Sequence, residues 1–274
     1  MSVSLKDVST AVPKKTPPRI VIHGVGGVGK TSFAAQFPNP IFLQSPGETG
    51  LETLISTGQL KPVGRVEKAI VEWTEVLDWI DELFTGDHKY KTLVLDTAPG
   101  FCRLLHDHVC KTEYNGNWGP KGFMNYNCGY RECTPIWQQF LFTLDKLRLK
   151  RGMTIVLLMH SDIKNFKNPQ GADYDRFTPD MQKDDWNKTF AWCDMCLFFN
   201  FIIETEKAAT DAKSIVTSGS ERAFFIENAG AYDAKGGRHG LPPLIELPNN
   251  APEAYKDFIS IVTKKKKPEN TDGN

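Results

Sequence analysis

The residues best placed to do chemistry lie in GVGGVGKTS, Gly24 to Ser32. They fit G-x-x-x-x-G-K-[ST], a loop whose glycines let successive backbone N–H groups point at a polyphosphate from a helix N-terminus. In that pattern Gly24, Val25, Gly26, Gly27, Val28, Gly29 and Ser32 form the phosphate cradle. Lys30 bridges the β- and γ-phosphates, and the Thr31 hydroxyl ligates Mg²⁺. The expected ligand is a nucleoside triphosphate, ATP with Mg²⁺.

Such a loop works only between a strand and a helix, and the flanks supply both. Arg19 to His23 is a β-branched apolar run, and Ser32 to Phe37 has helix-forming character until Pro38. Pro40 to Gln44 predicts a second strand, with Glu48 just past its carboxyl end, the edge where open α/β sheets bind ligands. Glu67 to Phe84 has helical period. Lys91 to Asp96 (KTLVLD) is an apolar strand ending in an acid, the pattern of a Walker B element, so Asp96 is a second candidate for the Mg²⁺ site.

Two polar, aromatic-rich stretches follow. Cys110 to Glu132 predicts a long functional loop, with Lys111, Trp118, Lys121, Phe123, Tyr126 and Arg131 as candidates for base stacking and phosphate contact. The competing reading has its aromatics pin the loop to the domain. Ser161 to Thr189 predicts a second such loop, with Lys164, Phe166, Lys167, Arg176 and Phe177. Between them, Thr134 to Leu149 predicts a helix capped by Thr134 with Pro135 in its first turn, and Met153 to Met159 a central parallel strand ended by His160. The later apolar runs Phe190 to Ile203, Arg222 to Ile226 and Leu244 to Leu247 predict strands, and Ala251 to Thr263 a closing helix. The expected fold is α/β, a mostly parallel sheet flanked by helices, with antiparallel strands toward the C-terminus. One domain over 18–263 is expected between a flexible segment, 1–17, and a flexible basic tail, 264–274.

The 274 residues include 33 lysines plus arginines and 33 aspartates plus glutamates, so no global positive field favours nucleic acid, and any such binding must be local. No apolar stretch approaches the roughly 20 residues of a membrane span. A cytoplasmic location is expected, with the six cysteines mostly free. Cys193 and Cys196 have C-x-x-C spacing, but an apolar strand there would point them to opposite faces, against a shared metal.

In order and position these motifs resemble the RecA-like ATPase core over about residues 19–248, and within it the small phage and prophage single-strand annealing or recombination ATPases. That resemblance implies Glu48 as the general base for the attacking water, His160 as the polar sensor of the γ-phosphate, and DNA-binding roles for the two long loops. Hexameric relatives, including the replicative DnaB helicases, carry a K-x-R-x-G turn that reaches a neighbour's γ-phosphate. AKGGRHGLP is similar to it, with one residue more between Lys235 and Arg238, and either could be the finger. The implied partners are single-stranded DNA, further copies of the chain in a ring or filament, and a single-strand-binding protein, in a bacterial host's cytoplasm if the chain is phage-encoded. The alternative is a low-turnover, nucleotide-gated switch in phage replication or packaging.

Overall fold

A computed structural model describes residues 16–202, 205–206, 215–216, 219–236 and 239–263. In chain order the elements are β1 (Arg19–Gly24), α1 (Lys30–Ala34), β2 (Pro40–Gln44), α2 (Gly50–Ser56), β3 (Gly64–Arg65), α3 (Trp73–Thr85), β4 (Thr92–Asp96), α4 (Ala98–Glu113), α5 (Cys128–Arg151), β5 (Thr154–Phe166), β6 (Tyr174–Pro179), α6 (Lys183–Trp192), β7 (Met195–Phe201), the two-residue strands β8 (Thr205–Glu206) and β9 (Ile215–Val216), β10 (Arg222–Phe225), β11 (Leu244–Leu247) and α7 (Ala251–Thr263). The main sheet runs β11-β10-β7-β1-β5-β4-β2-β3. Its strands from β7 to β3 are parallel, and β10 and β11 run antiparallel at the C-terminal side. The α/β class expected from the sequence is therefore the one found.

Strand periodicity divides the core in two. On β1, Val21 faces a cluster shared with α3 to α6, while Ile20 and Ile22 face α1 and α7. Apolar residues on both faces make β1, β4 and the first half of β5 the centre of the sheet. All parallel strands then point their carboxyl ends to one edge.

Several boundaries differ from expectation, among them the strand expected from Phe190, which begins at Met195 because α6 runs to Trp192. The helix expected from Glu67 starts at Trp73, because the Glu75 carboxylate accepts from the N–H groups of Val71 and Glu72 and fixes the start there. The loop expected over 110–132 is trimmed at both ends by helices: α4 runs to Glu113 and α5 begins at Cys128, so Thr134 is no cap and Pro135 sits inside a helix. Thr134 instead turns its hydroxyl to Asp185 (2.7 Å). His160 does not end its strand. β5 continues to Phe166 and pairs antiparallel with β6, so the second expected loop is a hairpin followed by α6. Among the described residues no helix is long and apolar enough to cross a membrane.

Candidate functional site

The loop after β1 is shaped by two close fits. A Cβ on Gly24 would lie 1.9 Å from the backbone oxygen of Phe199 on β7, so only glycine lets the two strands approach there. Gly29, at φ +104°, takes a left-handed turn that delivers the chain into α1. Arg222, at the start of β10, braces this loop. Its Nη1 donates to the Val28 carbonyl at 2.8 Å and its Nε to Asn249 Oδ1 at 3.0 Å, and its Nη2 meets the Asn249 carbonyl just before α7.

Behind the loop, Lys30 is buried and donates from Nζ to the carbonyls of Gly24 (3.0 Å) and Val25 (2.8 Å), with His160 Nδ1 at 3.4 Å. Burial lowers its pKa to about 8, against the pull of Asp96 and Glu48. The Thr31 hydroxyl donates to Asp96 Oδ2 at 3.0 Å. Asp96, at the tip of β4, is pushed up to about 6, first by burial and then by Glu48.

Glu48 follows a tight connection from β2. Ser45 ties that connection to the end of β4, its N–H donating to the Asp96 carbonyl (2.8 Å) and its Oγ accepting from the Thr97 N–H (3.1 Å). The Glu48 carboxylate accepts from the Thr97 hydroxyl at 3.3 Å and lies 3.6 Å from His160 Nε2, a charge-pair distance beyond a hydrogen bond. His160 beside it, with Thr97 and Lys30, holds Glu48 below the usual carboxylate range. The residue after His160, Ser161, is tied to β1. The buried His23 ring donates from Nε2 to the Asp233 carbonyl (2.7 Å), which leaves Nδ1 to accept from Ser161 (2.8 Å).

Lys30, Thr31, Glu48, Asp96 and His160 line a cleft of about 350 Å³ at the carboxyl edge, with Gly27, Gly29 and Ser32 on one wall and Gly50, Thr53 and Leu54 of α2 on another. Space beyond Gly26 and Gly27 is open to 4 Å. A Thr hydroxyl beside a carboxylate is an oxygen-only donor pair, which suits a hard divalent ion such as Mg²⁺. Expected nucleotide residues from four strands thus meet in one place. The α2 residues, Thr97, Ser45 and Arg222 were not foreseen; of these only the α2 segment carried a signal, by following Glu48 directly. A cleft of similar size against α3 is lined by Lys68, Ile70, Glu75 and Trp79, and its lysine is already paired with Glu75.

The model for the AAA domain matches residues 16–237, most of the chain and the whole of this cleft. The chain belongs to the AAA domain family. No curated protein sequence matches it. As an AAA domain it is a nucleotide-binding module of the P-loop ATPase type, and the cleft described above is where its phosphate loop lies.

The expected DNA contacts divide. Phe123 is fully buried against Trp118, Tyr130 and His106, where its ring pins the segment to α4 and α5 and presents no face for base stacking. Around it Tyr126 is 90% exposed, Lys121 and Arg131 are exposed, and Lys111 faces Glu72 at 3.8 Å. On the hairpin Lys164 and Lys167 are exposed and Phe166 half-buried against Tyr174, whereas Arg176 is anchored to Asp233 at 2.7 Å and Phe177 packs on Phe198. None of them lines the cleft. Lys235 donates from Nζ to the Phe190 carbonyl (2.7 Å). Arg238 lies outside the described residues.

Proposed function

We propose that this AAA domain hydrolyses ATP with Mg²⁺, binds single-stranded DNA and promotes annealing or recombination. The observation that carries the reading is the convergence of Lys30, Thr31, Asp96, Glu48 and His160 on one cleft, with β5 running unbroken from His160 into the hairpin. Thr31 and Asp96 would hold the ion, which supplies positive charge against the β- and γ-phosphates. Lys30 leaves the carbonyls of its own loop for the phosphates, a better partner for a buried ammonium. Glu48, kept ionised by His160 and Thr97, takes the proton of the attacking water, while His160 meets the γ-phosphate.

Phosphoryl transfer depends mainly on charge at the γ-phosphate, and the described residues of the cleft contain one cation, Lys30, besides His160. A second cation would come from a neighbouring copy in a ring or filament. Lys235 is engaged within its own chain, which favours Arg238 for that finger.

The hairpin supports the DNA reading. Lys164 stands directly opposite Arg176 across the strand pair, a like-charge placement that is unfavourable unless an anion lies near; Asp233 answers Arg176 and leaves Lys164 free to meet phosphate. A phage origin and a single-strand-binding partner rest on the resemblance alone.

The test is ATP turnover by the purified chain with and without single-stranded DNA over a salt series. Stimulation that fades as salt rises, through counterion release, supports the reading. Turnover indifferent to DNA removes the DNA role, and binding without turnover favours the nucleotide-gated switch.

A further inference from the structure

Away from the cleft, the helices α4, α5 and α6 enclose a polar cluster in an otherwise apolar core. Cys102 and His106 stand one turn apart on α4, and Asp185 reaches them from the first turn of α6; they are 1%, 7% and 0% exposed. Cys102 Sγ is 3.2 Å and His106 Nε2 3.1 Å from the same oxygen, Asp185 Oδ2, and the sulfur and nitrogen are 3.4 Å apart. The other carboxylate oxygen accepts from Thr134 at 2.7 Å.

Two features set this apart from ordinary core hydrogen bonding. A fully buried carboxylate carries a large desolvation cost and needs a counter-charge. Among the described residues no lysine or arginine pairs with Asp185, and its one partner that can carry positive charge is His106. The second is shape. Two donors converge on one oxygen and close a triangle with edges of 3.1 to 3.4 Å. Zinc bonds of about 2.0 to 2.3 Å at tetrahedral angles place ligand atoms roughly 3.3 to 3.8 Å apart, so the triangle is nearly one face of such a site.

We propose that Cys102, His106 and Asp185 form a buried Zn²⁺ site, with Thr134 as the outer partner that orients Asp185 and water in the fourth position. One sulfur, one nitrogen and one oxygen donor select zinc over Mg²⁺ or Ca²⁺. Binding releases the Cys102 thiol proton to solvent, and the His106 proton that faces Asp185 from Nε2 moves to Nδ1, which frees the Nε2 lone pair for the ion. Burial pushes the Cys102 thiol well up, an effect that a divalent ion reverses. The ion would cross-link α4 to α6 beneath the Phe123 cluster, independently of what the cleft binds.

The experiment uses the full chain, unfolded and refolded in chelator, then titrated with Co²⁺. One equivalent should bind with a thiolate-to-cobalt absorption band that Zn²⁺ abolishes by displacement, and the melting temperature should rise by several degrees at saturating metal. Cys102→Ser should remove the band. Should that variant fail to fold, Thr134→Ala retains all three ligands and should weaken Co²⁺ binding about 10- to 100-fold. No band, a band that survives Cys102→Ser, or Co²⁺ affinity unchanged in Thr134→Ala overturns the site.

Discussion

Residues 111–131 and the β5–β6 hairpin both mix aromatic with basic side chains, and the fold treats them oppositely. The first is sewn to α4 and α5 through a buried phenylalanine with four ring neighbours, His106, Tyr114, Trp118 and Tyr130. The second projects beyond the sheet on the strand that also carries His160, with Ile163 64% exposed and both its free lysines in water. Composition alone cannot separate a scaffold from a working surface. What separates them is whether the aromatic has helices to bury against.

The largest test concerns what the hairpin's strand is joined to. Glu48→Gln should lower ATP turnover by about 10²- to 10⁴-fold while ATP and DNA binding persist, measured by phosphate release and by anisotropy. Loss of DNA binding in the same variant would mean that cleft and hairpin are not separable. Phe123→Ala should cost about 3–5 kcal/mol in urea unfolding, and Phe166→Ala less than about 1. Equal costs would erase the distinction between the two segments.

Within the cleft the signature of burial is electrostatic. Asp96 holds its proton more tightly folded than unfolded, so its ionisation penalises the folded state from about pH 4 up to about 6, and the penalty persists above. Asp96→Asn should therefore stabilise the nucleotide-free chain by about 1–3 kcal/mol at pH 7, with the gain vanishing toward pH 4, less what Lys30 loses with its partner. A gain that does not change with pH would refute that origin. Smallest, Lys164→Ala or Lys167→Ala should each reduce the salt slope of DNA binding by about one, and Lys121→Ala should leave it unchanged. The reverse result would transfer the DNA contact to residues 111–131.

The phosphate loop was legible because its chemistry is local: the backbone, the lysine and the threonine come from one short run. β2 and β11 matched their runs for the same kind of reason, as both are short, apolar and bounded by turn residues. The second half of β5 was not legible, since a strand that leaves the sheet loses the two-sided apolar pattern by which a buried strand is recognised. Nor was the cluster around Asp185, whose members come from three separate helices and meet only through helix packing. Arg222 gave no signal either, because a bond to a backbone carbonyl leaves no trace in residue types.

That bond has a practical meaning. Arg222 fastens the phosphate loop to Asn249, two residues before the last helix, so α7, which also packs on α1 through Tyr255 and Phe258, acts as an anchor post for a cleft that it does not line. Trimming the chain ahead of Asn249, or fusing a partner there, would slacken the loop from behind, and a truncation chosen for convenience would then present itself as a defect in nucleotide affinity.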